Sequence, residues 1–416
     1  MLSFDIHAKL PNGRGRAGTI QTSHGAVETP AFIVVGTKAT VKALTPEQIS
    51  SLGAQAVLAN TYHLYLQPGE EILKKAGGFP SFMNWKGPTF TDSGGFQAFS
   101  LGAAFNKTAS KIGQRGGREK VLDDAGKYKE TRYAVEGQSK DDLSDVQTSH
   151  AQNFAKVTED GVEFRSILDG STHFFTPERS MDIQHTIGAD IMFAFDECTS
   201  PLADHEYQKE AMDRTHRWAA RSLEHHKKTN EKDQALFGIV QGGRHEDLRK
   251  ESARTIGAMD FDGFGIGGSF EKEDIATAVG WVVDELSEGK PRHLLGIGAP
   301  EDIILGIENG IDTFDCVAPT RIARNGAVYV RKGKNTINLL NAEFKADFTP
   351  IEAECGCYTC KNYTKAYLAH LFRAKEMLAA TLASIHNLYF LVHLAKNARK
   401  AIINGTWKEF KSSVLG

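Results

Sequence analysis

The chain has 416 residues, 41% of them apolar and 24% charged, with a formal net charge of −3. This is an ordinary globular composition, long enough for one large barrel or two to three domains. It excludes a general nucleic-acid coat protein, which would be far more basic, so any nucleic-acid contact must use a local patch.

Residues 1–10 carry Asp5, His7 and Lys9 and lack an apolar stretch, and no run is expected to approach the length of a membrane span. A cytoplasmic protein without membrane contact is therefore the expectation. Short apolar, β-branched runs then recur at 31–35, 56–59, 88–91, 191–195, 236–240, 261–266, 294–297 and 311–314. Helix-like stretches separate most of them. Thr45-Pro46-Glu47-Gln48 and Thr176-Pro177-Glu178 each place a capping hydroxyl before a proline at the first helical position, and Ala299-Pro300-Glu301 places proline similarly. Ile275, Ala278, Val279, Val282, Val283 and Leu286 fall on one helical stripe. Some eight strands alternating with helices predict an α/β fold, a (β/α)8 TIM barrel.

Polar or glycine residues follow most of these strands. They are Asn60-Thr61, Asp92-Ser93-Gly94-Gly95, Asp196-Glu197-Cys198, Gln241-Gly242-Gly243, Gly267-Gly268 and Asp315-Cys316. A barrel gathers its active site at the carboxyl ends of its strands. Strand ends are polar in any fold, but that explains a bare Asp after Phe195 and Phe314 poorly. Carboxylates facing one pocket suit glycosidic chemistry, with one attacking the anomeric carbon and another handling the leaving-group proton. Asp92, Asp196 and Asp315 are the candidates. Gln241 and the glycine amides suit a flat, hydrogen-bonding ligand such as a nucleobase. Two glycine patterns are weaker signals. Residues 13–18 match G-x-G-x-x-G but follow Pro11-Asn12 and read as a turn. Residues 263–268 match it sixth in the strand series, where dinucleotide binding expects it first.

Residues 102–152, rich in mixed charges and poor in large apolar side chains, read as an inserted, mobile surface segment. After Asp315 the pattern changes. Arg321, Arg324, Arg331, Lys332 and Lys334 are interleaved with Val328, Tyr329 and Val330, a solvated face or an anion-binding one. Cys355-Gly356-Cys357-Tyr358-Thr359-Cys360 follows, a C-x-C-x-x-C run in a chain with five cysteines. Thiols this close suit a tetrahedral, structural zinc better than disulfides. The fourth ligand is open among His370, His386 and His393. Residues 361–403 read as two helices, with Tyr367, Leu371, Ala374 and Leu378 on one stripe and Leu382, Ile385, Tyr389 and Val392 on the next. The division expected is a barrel over 1–316, interrupted at 102–152, and a mostly helical zinc-binding unit over 317–416.

Several ordered motifs together resemble one family. Thr91-Asp92-Ser93-Gly94-Gly95-Phe96-Gln97, Phe195-Asp196-Glu197-Cys198-Thr199, Gly238-Ile239-Val240-Gln241-Gly242-Gly243 and Thr313-Phe314-Asp315-Cys316-Val317-Ala318-Pro319-Thr320-Arg321, with the cysteine run, are similar to those of the bacterial-type tRNA-guanine transglycosylases (queuine tRNA-ribosyltransferases). The likeness covers nearly the whole chain except 102–152, which has no counterpart in it. It implies a (β/α)8 barrel with a zinc subdomain that exchanges guanine at the anticodon wobble position of GUN-type tRNA for a 7-deazaguanine. On this resemblance Asp315 is the nucleophile and Asp92 the general acid/base. Ser93, Asp196, Cys198, Gln241, Gly267 and Gly268 bind the base, and Arg321 and Arg324 the tRNA. Cys355, Cys357, Cys360 and His386 hold one structural Zn²⁺ per chain. It also implies a homodimer. Cys198 favours 7-aminomethyl-7-deazaguanine as the incoming base, whereas Ser269-Phe270-Glu271-Lys272 departs from the usual segment beside the base pocket. The chain ends before the further C-terminal domains of archaeal relatives would begin, which favours a wobble-position enzyme. The competing expectations are a non-catalytic tRNA-binding partner subunit, which would need neither Asp92 nor Asp315, and a zinc-dependent barrel hydrolase, whose ligands would lie in the barrel mouth.

Overall fold

A computed structural model describes residues 2–11, 13–102, 119–122, 128–131, 155–166, 168–200, 203–230, 232–268, 275–331 and 336–415. Eight parallel strands close into a barrel. In chain order they are Ala31–Val35, Val57–Ala59, Thr89–Thr91, Ile191–Phe193, Ala235–Val240, Gly263–Ile266, Arg292–Leu294 and Thr313–Cys316. The last pairs with the first, Phe314 opposite Phe32 and Asp315 opposite Ile33. All eight apolar runs become barrel strands, because β-branched and aromatic residues fit a sheet buried on both faces.

The seventh and eighth strands lie about two residues from their expected places. Arg292 and His293 begin the seventh, and Gly296, with φ of 74°, lies outside it. Asp315 is inside the eighth strand rather than after it. A search for apolar runs passes over strands that carry ionisable residues on a buried face.

Alternation along each strand sorts side chains between two apolar regions. Ile33, Leu58, Phe90, Phe193, Phe237 and Ile239 fill the barrel interior, joined by Ile20 and Val27. The latter pair belong to an antiparallel sheet formed by Ser3–Lys9, Arg16–Thr22 and Gly25–Thr29, which packs on this interior core. Buried Arg16 forks onto Asp312, at 2.9 and 2.6 Å, and ties that sheet to the start of the eighth strand. Phe32, Val34, Leu236 and Phe264 face outward to the helices. Gly263 and Gly265, in the second glycine pattern, are strand residues. A Cβ at Gly263 would lie 2.5 Å from the Phe237 ring, so the pattern serves packing rather than a phosphate loop.

The helix openings follow the sequence. Thr45 and Gln48 form a reciprocal capping box, and Thr176 caps its helix through the Arg179 amide. The stripe from Ile275 to Leu286 is buried.

The 27-residue helix Met377–Ile403 passes the length and composition test for a membrane span, contrary to expectation. In the fold it is a core helix, with 61% of its apolar window buried. Leu388, Leu391 and Val392 join the main core with Phe32 and Val34. Nearer its start, Ala379, Leu382 and Ala383 pack with the three cysteines. The helix therefore lies against the first barrel strand and the cysteine cluster together.

The shorter helix before it ends at Arg373, so the expected stripe does not continue from Leu371 to Leu378. Lys375, with φ of 58°, turns the chain between the two helices, and Tyr367 and Leu378 are exposed. The segment expected to be inserted and mobile lies mostly outside the described residues. Within it, Glu119–Leu122 pairs antiparallel with Tyr128–Thr131. Lys332, Lys334 and the departure at 269–272 also lie outside the described residues.

Candidate active site and metal centre

One pocket at the carboxyl ends of the strands is lined by Asp92, Ser93, Asp196, Cys198, Gln241, Gly267 and Gly268, together with Phe96, Phe193, Ile239 and Leu295. The residues expected to read a base are thus brought together from four barrel strands, as this architecture favours. Asp196 is held by two of its neighbours there. Ser93 Oγ donates to Asp196 Oδ1 at 2.8 Å, and Gln241 Nε2 donates to Asp196 Oδ2 at 2.7 Å. Gln241, which lines the pocket, has its Oε1 buried without a hydrogen-bond partner.

Asp92 is oriented by three donors. The Thr61 amide lies 2.9 Å and the Gly94 amide 3.2 Å from Oδ1, while Asn60 Nδ2 reaches Oδ2. Asn60 also caps the helix Thr61–Leu66, its Oδ1 accepting from the His63 amide. That helix start therefore presents both an amide and an amide side chain to the carboxylate. Sequence reasoning marked Asn60 and Thr61 as polar strand-end residues but gave them no partner.

Asp315 does not line the pocket. It sits on the eighth strand beside the seventh, where Gly296 N donates to Oδ1 at 2.7 Å and His293 Nε2 lies 3.1 Å from the same oxygen. Leu295, between these two donors in sequence, lines the pocket. His293 went unnoticed because it lies just ahead of the apolar run at 294–297, where a lone histidine carries no spacing signal.

Arg249 also went unnoticed. It is fully buried, with Nε donating to Gly243 O at 2.8 Å and Nη1 to Gly267 O at 2.7 Å. Burial draws the guanidinium down to about 9, so it remains a cation at neutral pH. Gly268 has φ of 95°, and a Cβ there would fall 2.6 Å from Arg249 Nη2 and 3.0 Å from Gln241 Oε1. Only glycine lets the backbone approach this closely. Arg321 and Arg324 lie on the helix Ala318–Arg324, which leaves the eighth strand directly. Arg321 is exposed, and Arg324 Nε donates to Thr320 O at 3.2 Å.

The cysteine run closes on a histidine. Sγ of Cys355, Cys357 and Cys360 lies 3.8, 3.5 and 3.3 Å from His386 Nδ1, and all four ligand atoms fall within 4.8 Å of one another. Tetrahedral zinc, with its usual bond lengths, sets sulfur–nitrogen edges at about 3.5 Å. The buried set fits one metal ion and is consistent with zinc. His386 Nε2 lies 2.8 Å from Tyr329 O, which fixes that nitrogen as the donor and turns Nδ1 to the cluster. Hydrogen bonds from Cys357 and Cys360 push the Cys355 thiol strongly towards thiolate. Neither His370 nor His393 joins this group. Asn387 is buried beside it. It accepts from Tyr329 N at 3.0 Å and donates to Pro319 O and Ala327 O at 3.0 and 3.1 Å.

The family model for queuine tRNA-ribosyltransferase matches residues 12–125 and 118–416, so residues 102–152, expected to have no counterpart in the family, are covered by it. The chain is 44% identical over 417 residues to a queuine tRNA-ribosyltransferase of Caldanaerobacter subterraneus, covering 100% of this chain and 97% of the relative. It is 46% identical over 413 residues to one from Thermoanaerobacter pseudethanolicus, covering 99% and 96%. A third, from Desulforamulus reducens, is 44% identical over 100% of this chain and 98% of its own length. With barrel, pocket and Cys3His cluster in place, the chain belongs to the queuine tRNA-ribosyltransferase family, the tRNA-guanine transglycosylases.

Proposed function

We propose that this protein exchanges guanine at the anticodon wobble position of GUN-type tRNA for a 7-deazaguanine, by double displacement through an aspartyl–ribose intermediate. The observation that carries the reading is the pocket at the carboxyl ends of the barrel strands, with Asp92 in its lining, and Asp315 separately tethered on the eighth strand of the same barrel. In the first step a carboxylate oxygen of Asp315 bonds to the anomeric carbon. The glycosidic bond breaks, its electron pair leaves with guanine, and Asp92 supplies the departing base with a proton. In the second step Asp92 takes a proton from the incoming base, whose ring nitrogen displaces Asp315. One glycosidic bond replaces another, and configuration is retained.

The pocket suits a purine-like edge. Asp196 accepts from ring N–H groups, while Gln241, Ser93 and the Gly267-Gly268 backbone offer both donors and acceptors. Cys198, beside them, fits 7-aminomethyl-7-deazaguanine. Such a base must leave its stack to be read, which a single-stranded anticodon loop permits. Arg321 and Arg324 would hold backbone phosphates, positioning the RNA without reading its sequence.

Cys355, Cys357, Cys360 and His386 would hold one Zn²⁺, which cross-links the chain between the basic segment and the long helix. Four protein ligands leave no open position for water, so a zinc hydrolase gains no support. Residues 317–416 would then form the tRNA-docking unit on a barrel of 1–316, in a cytoplasmic homodimer.

The test is uptake of labelled guanine into unmodified tRNA. Wild type incorporates label. Asp315→Asn, with its metal content and melting temperature retained, loses roughly 10⁴-fold or more in rate, as removal of a nucleophile does. Undiminished uptake by that variant overturns the nucleophile assignment.

A further inference from the structure

His293 has no place in the reaction as written, yet its surroundings are unusual for a buried histidine. The ring is fully buried on the seventh strand, with its centroid 5.7 Å from that of Phe90 and 5.2 Å from that of Phe193. Its two nitrogens are both engaged, and both partners lie on the eighth strand. Nδ1 is 2.8 Å from Thr313 Oγ1 and Nε2 is 3.1 Å from Asp315 Oδ1. Thr313 and Asp315 are two apart on one strand, so their side chains share a face. His293 pairs directly with Thr313 in the parallel register. The strand pairing itself thus presents one ring to two successive partners.

The donor sense follows from chemistry. An ionised carboxylate only accepts, so Nε2 carries the proton and donates to Asp315. In the neutral ring Nδ1 then accepts from the Thr313 hydroxyl. Gly296 N donates 2.7 Å to the same oxygen. Two donors from one loop and strand therefore grip Oδ1, and this fixes rotation of the carboxylate about its Cβ–Cγ bond. Packing between two phenylalanine rings leaves the imidazole little freedom to move.

We infer that His293 is a positioning residue for the reaction proposed above, holding the Asp315 carboxylate in its attacking orientation, with Thr313 setting the histidine tautomer. The inference rests on Asp315 being the nucleophile. Geometry at an attacking atom is worth much, since misplacement by about 1 Å can cost roughly 100-fold in rate. His293 touches neither base nor RNA in this account, so its loss falls on bond formation rather than on tRNA binding.

The experiment uses full-length protein and an unmodified tRNA transcript under single turnover, with the covalent RNA adduct trapped on a denaturing gel and mapped by peptide mass. His293→Phe keeps a ring between Phe90 and Phe193 and removes both nitrogens. His293→Gln restores an amide donor. The expected result is an adduct on Asp315 in wild type and formation slowed roughly 10- to 100-fold in His293→Phe. KM for tRNA and metal content stay unchanged, and His293→Gln recovers part of the rate. If His293→Phe fails to fold, Thr313→Val carries the test through a smaller drop in the same rate at unchanged KM. Wild-type adduct on Asp315 with an undiminished rate in the folded variants overturns the positioning role and leaves the proposed function standing. An adduct on another residue overturns both.

Discussion

The barrel mouth and the cysteine cluster are both dense in polar, reactive side chains, but they use them in opposite ways. In the cluster, three thiols and His386 Nδ1 converge on one another within 4.8 Å, and the remaining histidine nitrogen is engaged by Tyr329 O. In the mouth each carboxylate is tethered by its own donors. Asn60, Thr61 and Gly94 hold Asp92, Ser93 and Gln241 hold Asp196, and Gly296 and His293 hold Asp315. Gln241 Oε1 remains an unpartnered acceptor at the pocket. A ligand set saturated by its own members stabilises a fold. Side chains oriented by fixed donors are prepared for a substrate.

Breaking each region should therefore give a different signature. The largest effect is expected at the cluster. Cys357→Ser removes a ligand and an N-cap, since Cys357 Sγ accepts from the Cys360 amide at 3.2 Å. Bound metal should fall from one equivalent per chain towards none, by elemental analysis. The melting temperature should drop by about 5 °C or more, because structural metal binding is itself folding free energy. Full metal retention would remove Cys357 from the ligand set. Arg249→Met acts at the mouth and leaves the cluster alone. It strips the donors from Gly243 O and Gly267 O, at about 1–3 kcal/mol for each carbonyl left unsatisfied. The backbone beside Gly268 should shift. KM for the free base should rise roughly 10-fold or more, with metal content unchanged. A raised KM for tRNA alone would contradict that division. The smallest effect on activity is expected at the seam between the regions. Asn387→Ala leaves the Tyr329 amide and the Pro319 and Ala327 carbonyls without their partner, and should cost about 2–4 kcal/mol in denaturant unfolding. A cost under about 0.5 kcal/mol would show that the seam is held elsewhere.

Much of this division is legible in the amino-acid sequence. Eight apolar runs mark eight barrel strands, and the polar residues after them supply most of the pocket, because strand period and burial act locally in sequence. The cysteine spacing points to a metal, while His386 needs the family likeness, since spacing alone does not separate it from His370 and His393. The residues that sequence reasoning misses have a common cause. His293 and Arg249 are ionisable residues buried by tertiary contacts with the eighth strand and the Gly267 carbonyl. No periodicity marks a side chain whose partner is distant in sequence. The helix Met377–Ile403 misleads for the converse reason. Barrel and cluster bury much of its surface, so it is apolar enough to pass for a membrane span.

The central claim is that the chemistry belongs to the two carboxylates at the mouth and not to the metal. The most direct measurement is trapping of the covalent RNA adduct by metal-loaded wild type, Asp92→Asn and Asp315→Asn, with the modified peptide identified by mass. The account predicts an adduct on Asp315 in wild type and none in Asp315→Asn at equal metal content. In Asp92→Asn the adduct should form more slowly on the same residue. An adduct that persists in Asp315→Asn would contradict it.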